Sequence, residues 1–484
     1  MRMLQHGRAE RMTQAQSSIA TAVAGYMVVM LFIGWWASRR VKDTKDYIIA
    51  GGRLGWALSI GTIFATWFGA ETCMGSSATA FREGILGVIA DPFGAGLCLI
   101  IAGFFFAGYF KRLQVETVVD FFRLRYGSRV SWFFSVFYLP VYLGWIGAQL
   151  LAFGYILHSL AGIPVPSAVA LATGVVVVYT FAGGMWADTM TDLVQCGILV
   201  VSLLILFPIL VKDLGGFSAA KATVPAEFFH FYPRDASVLS WLTYLQAWMI
   251  VGLGSLPAQD LFQRMMSARS SSIARWSSIS AGILYIGFGL LPVTLGILAR
   301  TALPESSGDR VLIELALKYL SPWLVAVMIG ALLSAIMSSA DSAILAPASI
   351  IGKNIVTAIR PNASEELQLA WCRASVPILT GLSLILALCF QNIYQLCVEA
   401  WGFLLVGLAA PLIAGVHWKK TTSAGAVAGA VAGVAVWLFL RLFAGEAIPH
   451  NLFGFAASYA VLMVVSAATG RRGARRSTPA PAAG

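Results

Sequence analysis

Charge is the scarcest thing in this sequence. Asp, Glu, Lys and Arg make up 11% of its 484 residues, against about 25% in soluble globular domains. A chain so poor in ions cannot dress a soluble surface, which excludes a soluble enzyme. Cysteine is sparse and unpaired: Cys73, Cys98, Cys196, Cys372, Cys389 and Cys397 lie inside apolar segments without a C-x-x-C pair, so neither a disulfide framework nor a zinc site is expected. The five histidines (His6, His158, His230, His417, His450) fall near the ends of apolar runs or in loops and form no H-E-x-x-H spacing. With no nucleophile, base and metal ligands gathered together, no catalytic residue is assigned, no enzymatic activity is expected and no cofactor is called for. The ten-residue alternating segments of a membrane barrel are missing too.

What fills the chain is apolar sequence, 58% of residues at a mean hydropathy of +0.80. A hydrocarbon crossing takes about 20 such residues. Thirteen runs qualify, at 18–37, 55–80, 86–110, 130–161, 165–182, 188–211, 239–256, 274–299, 322–350, 368–389, 391–417, 422–443 and 451–469, and they predict an all-α integral membrane protein. The first run has no small-residue cleavage site and is followed at once by Arg39 and Arg40, so it reads as a retained span and not a signal peptide. A net charge of +11 would suit nucleic acid if it were gathered on a soluble face. Instead 22 of the 33 Lys and Arg lie in alternate connections and the tail, at 39–53, 111–129, 264–275, 353–373, 419–420 and 471–476. That bias, with an odd number of spans, places the amino terminus outside and the carboxyl terminus in the cytoplasm. Residues 471–484 read as a disordered basic tail beside anionic lipid, and no soluble domain is expected.

Three features depart from a plain bundle. The run at 55–80 carries Gly69, Gly75 and the Ser76-Ser77 pair, and the run at 239–256 meets Gly252, Gly254 and Pro257. Glycines also let membrane helices pack closely, but interrupted helices at corresponding places in two halves point to a transporter's binding site. Leaving out the first span, these are the first and sixth helices of a ten-helix core. The second feature is a set of carboxylates in or at the ends of apolar runs: Glu71, Asp91, Asp188, Asp192, Asp341 and Glu399. Each costs roughly 2.5 kcal/mol or more at mid-membrane, and so normally faces a polar cavity. Asp188, after Gly183-Gly184, reads as a helix N-cap, whereas Asp192, one turn on, is better placed to meet an ion. Glu71 sits beside the first break, and Asp91, before Pro92, has Arg82 as a nearby structural partner. Third, Ser338 and Ser339 interrupt an apolar helix. They can bond their own i−4 carbonyls or offer oxygen to a hard cation.

These residues fall in segments that carry a resemblance. DYIIAGGRLGW after the first span, FATWFGAET in the first interrupted run, YTFAGGMWADTMTDLVQ at 179–195, LPAQDLFQRMMSA at 256–268 and MSSADSAILAPASIIGKNI at 337–355 resemble the sodium:solute symporters, most of all the high-affinity choline transporter branch. The resemblance implies a leucine-transporter-like inverted-repeat bundle of about 13 transmembrane helices. It divides the chain into 1–54 (outer amino terminus, extra first span and cytoplasmic loop), 55–238 (first five-helix repeat and outer loop), 239–417 (second repeat), 418–470 (two peripheral spans) and the tail at 471–484. By matched motifs it implies a sodium site built from Ala65 and Phe68 with Ala335, Ser338 and Ser339, and it sets Asp192 on the ion path. For the solute it implies an aromatic cage in which Trp67 and Trp145 match two positions. A third tryptophan of choline transporters, in the LPAQ segment, is Ala258 here, which leaves that cage incomplete. Gly69, Glu71 and Asp91 complete the expected substrate-binding set.

The function this implies is sodium-coupled symport of a small organic solute, cationic or zwitterionic (choline- or betaine-like), by alternating access. Sodium is the expected coupling ion and sole metal; sodium, the solute and the lipid bilayer are the expected partners, and nucleic acid is not. The expected location is the cell membrane, as a multi-pass protein of a bacterial inner membrane. Two alternatives stay open on the same fold: proton coupling, with Glu71 or Asp192 as carrier, and import of an amino acid, a monocarboxylate or another neutral or anionic solute. A sensor is disfavoured because no soluble domain is read after residue 470.

Overall fold

The computed structural model describes residues 43–306, 308, 310–390, 392–445 and 448–473, with isolated positions between 21 and 41. The expected first span at 18–37, those isolated positions apart, and the tail beyond 473 therefore lie outside the described residues. Among the described residues the elements are helical, with a single isolated β-bridge. Nine helices are long and apolar enough to cross a membrane, and three shorter apolar ones lie at Trp56–Trp67, Val165–Val178 and Val238–Gly252. These twelve coincide with the twelve expected runs after the first.

In chain order the elements are α1 (Thr44–Ile49), α2 (Trp56–Trp67), α3 (Ser76–Glu83), α4 (Ile85–Leu113), α5 (Val118–Tyr126), α6 (Ser128–Ala161), α7 (Val165–Asp213), α8 (Val238–Gly252), α9 (Gln259–Ser267), α10 (Ser271–Ala302), α11 (Val311–Tyr319), α12 (Pro322–Ile359), α13 (Glu365–Cys389), α14 (Ile393–His417), α15 (Ser423–Phe443) and α16 (His450–Gly473). Local chemistry sets many of the starts. Ser270, Ser364 and Thr422 accept from the backbone N–H of Ile273, Leu367 and Gly425, the N-cap arrangement that satisfies an otherwise orphaned donor. Thr117 and Asp120 form a capping box at α5. The helical stretch α7 runs for 49 residues through Gly183 and Gly184, more than twice the length of a crossing, and holds two of the expected runs. Asp188 is therefore interior to a helix, and not the N-cap its position after two glycines predicts.

α12 lies at the centre of the bundle. In its most apolar window 83% of residues are buried, against 22% in α15 and in α16, which pack on each other and on α14. Glu399 of α14 is paired with Arg441 of α15, so this carboxylate serves the peripheral helices and not the central path. Large apolar side chains such as Val178, Ile283, Leu442 and Val464 remain exposed, as befits a surface solvated by lipid.

Both runs expected to unwind do so. α2 stops at Trp67, Phe68 leaves helical geometry (φ −77°, ψ 58°), and a wide helical turn at Glu71–Gly75 leads into α3. α8 stops at Gly252, and residues 253–258 form no helix before α9 begins. Gly69 is required at its place, because a Cβ there would strike the Ser339 hydroxyl and come within 2.9 Å of the Ser339 Cβ. Backbone groups freed at membrane depth need protein partners. The hydroxyls of Thr72 (3.2 Å) and Tyr285 (3.0 Å) lie within hydrogen-bond reach of the Trp67 carbonyl, and Ala70 N donates to Gln149 Oε1 (3.4 Å).

The half-helices α2 and α9 are tied together at three levels. A parallel bridge joins Leu54 to Ala268, with Leu54 N donating to the Ser267 carbonyl (2.8 Å) and Arg269 N to the Leu54 carbonyl (2.9 Å). Higher up, Arg264 Nε donates to Thr66 Oγ1 (2.5 Å). At the break itself, Trp67 Nε1 donates to Asp260 Oδ2 (2.7 Å).

Candidate solute and ion site

The first break gathers oxygen. Gly69 N–H turns to the Trp67 carbonyl (2.8 Å), so the Ala65 carbonyl loses the donor that an uninterrupted helix would give it. Ser339 of α12 stands against Gly69; it is fully buried and its hydroxyl has no hydrogen-bond partner among the described residues. Ala335, one turn earlier on α12, is equally buried. Ser338 turns away from the backbone: it donates to Asp192 and to Asp188 (3.3 Å) on α7, and not to its own i−4 carbonyl. A hydroxyl that donates its hydrogen still keeps lone pairs for a cation.

Beyond the serines lies a dry polar cluster. Asp192 also accepts from Thr62 Oγ1 (2.7 Å). Asp188 accepts from Ser342 Oγ (2.9 Å) and pairs with Arg264 of α9, both members of the pair being fully buried. The same guanidinium reaches Ser342 and Thr66. Asp341, also fully buried, faces Thr180 and the Asp188–Arg264 pair. With Asp260, one turn earlier on α9, four buried aspartates thus surround one arginine. This corrects the reading of Arg264 as a basic loop residue: its charge belongs to the interior, and the loops hold one cation fewer than the sequence count implies.

On the other side of the break the structure assembles aromatic rings. Trp401 of α14 lies between the two expected tryptophans, with ring centroids 6.1 Å from Trp67 and 5.1 Å from Trp145. A third ring, from another helix, thus joins the two expected tryptophans. Two of the three indoles are fixed through their nitrogens by carboxylates: Trp67 by Asp260, and Trp401 by Glu71 Oε2 (3.2 Å). The second oxygen of Asp260 accepts from Tyr142 OH (2.7 Å), whose oxygen in turn accepts from Gln259 N (2.7 Å). Asp91, where α4 is locally extended (φ −139°, ψ 124°), accepts from Thr72 Oγ1 (2.9 Å) and Tyr285 OH (2.9 Å).

Of the residues expected from the sequence, Ala65, Phe68, Gly69 and Ser339 converge on the first break, with Ala335 one turn before Ser339 on α12, Ser338 and Asp192 on the aspartate cluster beside it, and Trp67, Glu71 and Trp145 on the ring cluster. Asp91 reaches the break through Thr72. Sequence reasoning passed over Trp401, Asp260, Arg264, Tyr142 and Tyr285. Asp260 and Arg264 carried a signal, being ions in a segment whose nine residues are all buried; Trp401 carried none beyond being one more tryptophan in an apolar run.

A model of the sodium:solute symporter family matches residues 47–433. The chain is similar to high-affinity choline transporter 1 of Caenorhabditis elegans, 29% identical over 470 residues that cover 88% of this chain and 77% of that protein. It is also similar to the Homo sapiens high affinity choline transporter 1, at 28% over 455 residues covering 88% and 76%. Among solved structures it is similar to a substrate-bound, outward-open Na+-coupled sialic acid symporter, with a TM-score of 0.79 at 18% identity over 93% of this chain and 97% of the other. At that identity the likeness is one of fold, and the all-helical, leucine-transporter-like architecture expected from the sequence is the one the chain has.

Proposed function

The chain belongs to the sodium:solute symporter family, and from that premise we propose that it couples the inward flow of sodium to uptake of a small cationic organic solute. The observation that carries the solute class is the set of three tryptophans beside Glu71 at the first break, with no Lys or Arg among their hydrogen-bond partners within the described residues. A cation over an indole face gains about 0.5 to 2 kcal/mol, most where water is excluded, and the neighbouring carboxylates favour the same sign. The similarity to choline transporters supports this reading. For the ion, carbonyls of Ala65, Phe68 and Ala335 with the hydroxyls of Ser338 and Ser339 offer the all-oxygen, largely neutral surroundings that a hard monovalent cation takes at a broken helix. Asp192, bonded to Ser338, stands next on the way to the basic loops.

One charge moved through 100 mV supplies about 2.3 kcal/mol, and a roughly tenfold sodium gradient adds about 1.4. Together these support accumulation of the solute by several hundredfold per ion. The test is thermal stabilisation of the purified protein, and uptake into vesicles, across amines, betaines, amino acids, monocarboxylates and sugars with and without sodium, since a ligand that binds the folded state raises its melting temperature. Sodium-dependent stabilisation by amines is expected. Binding of a sugar or a monocarboxylate with none of any amine would overturn the solute class, and equal uptake on a proton gradient in sodium-free buffer would replace the ion.

A further inference from the structure

We infer that the transported cation carries at least one N–H, so that primary to tertiary ammonium ions are taken in preference to quaternary ones. This rests on the cationic reading above and narrows it. Glu71 decides the point. Its Oε2 accepts from Trp401 Nε1, while Oε1, in a side chain only 5% exposed, has no hydrogen-bond partner among the described residues. The other carboxylates around the rings are differently placed: both oxygens of Asp260 and both of Asp91 are already engaged. Cys397, one turn before Trp401, faces Glu71, but a thiol is a weak donor.

A buried acceptor left without a donor is a costly arrangement in a protein interior, and Asp91 stands nearby. A quaternary ammonium satisfies the indole faces but has no hydrogen to give to Oε1, and its methyl groups hold the charge off the carboxylate. Each N–H exchanged for N–CH3 removes a donor, and only the last exchange removes all of them. A betaine is worse placed still, since it lacks N–H and brings its own carboxylate toward Glu71 and Asp91. The aromatic cluster thus selects a cation, and Glu71 selects among cations by hydrogen bonding.

The test is a methylation ladder on one carbon skeleton, 2-aminoethanol, its N-methyl and N,N-dimethyl derivatives, and choline, with binding measured calorimetrically in sodium on the full-length protein. Affinity should change little over the first three and fall about tenfold to a hundredfold at the last step, the range expected of one hydrogen bond to a charged group. Glu71→Gln, which carries its own amide N–H, should flatten that step. Choline binding as tightly as the dimethyl compound, or more tightly, would overturn the inference while leaving the cationic reading intact. Binding of no member of the ladder, with a sugar or monocarboxylate bound instead, would overturn the reading beneath it. The ladder on the unaltered protein decides even where Glu71→Gln fails to fold.

Discussion

Replacing Arg264 by methionine removes the guanidinium that four buried aspartates surround. Arg264 and Asp188 are both fully buried, and breaking such a pair from one side costs about 3 to 5 kcal/mol, because the remaining charge has no solvent to turn to. Two hydrogen bonds, to Thr66 and Ser342, are lost with it, at about 1 kcal/mol each. Adding Asp188→Leu in the same protein takes away the carboxylate that the guanidinium pairs with directly, leaving only the more distant Asp192, Asp260 and Asp341, and exchanging a buried pair for apolar groups is often neutral. The double variant should therefore recover at least half of what the single variant loses, a coupling of about 2 kcal/mol or more. Unfolding in mixed micelles, followed by tryptophan fluorescence for the parent, the two single variants and the double, measures that coupling directly. An Arg264→Met loss below about 1 kcal/mol, or a double variant equal to the sum of the singles, would refute the placement of this arginine in a dry interior.

Four further outcomes follow from the same geometry. Ser339→Ala should raise the sodium concentration for half-maximal uptake by about tenfold, the worth of one oxygen ligand at about 1.4 kcal/mol; an unchanged sodium titration would move the ion elsewhere. Asp192→Asn should slow turnover more than it weakens equilibrium solute binding, which vesicle uptake and calorimetry separate; loss of solute binding with sodium binding kept would transfer Asp192 to the solute site. Trp401→Leu should weaken solute binding roughly 30-fold, about 2 kcal/mol for a desolvated cation–π contact, with Trp401→Phe intermediate; calorimetry showing no change would leave this ring as packing. Gly69→Ala should abolish uptake while membrane insertion persists, because its Cβ meets Ser339; a transport-competent alanine variant would count against the tight approach of α2 to α12.

How far the sequence could be read depended on whether a feature was local. The twelve spans and both helix breaks were legible because length, apolarity and the glycines at 69, 252 and 254 act where they stand. Ser339 was legible too, as a hydroxyl in an apolar helix. Asp188 was misread because two glycines before an aspartate look like a helix start in any window of ten residues, and what holds the carboxylate is an arginine 76 positions later. Arg264 was misread for the matching reason: near the end of an apolar run, nothing short-range separates a loop cation from one that folds inward onto a distant acid. Trp401 meets Trp67 and Trp145 only because α14 packs against α6 and the first break. Spans come from composition, partners only from the packed bundle.

The stitching of α2 to α9 bears on how faithfully the machine converts one gradient into another. Fastened at Leu54–Ala268, at Thr66–Arg264 and at Trp67–Asp260, the two half-helices cannot swing apart without surrendering two backbone hydrogen bonds and two buried polar contacts. They therefore tilt as a single lever. The last turn of α2 in that lever carries both Ala65, in the proposed ion surroundings, and Trp67, in the proposed solute surroundings. A lone sodium that tried to escape would have to drag the solute's wall with it, and the reverse holds for a lone solute. On the proposed function, this linkage along the backbone opposes leakage of either passenger without the other, with no need for the two to touch.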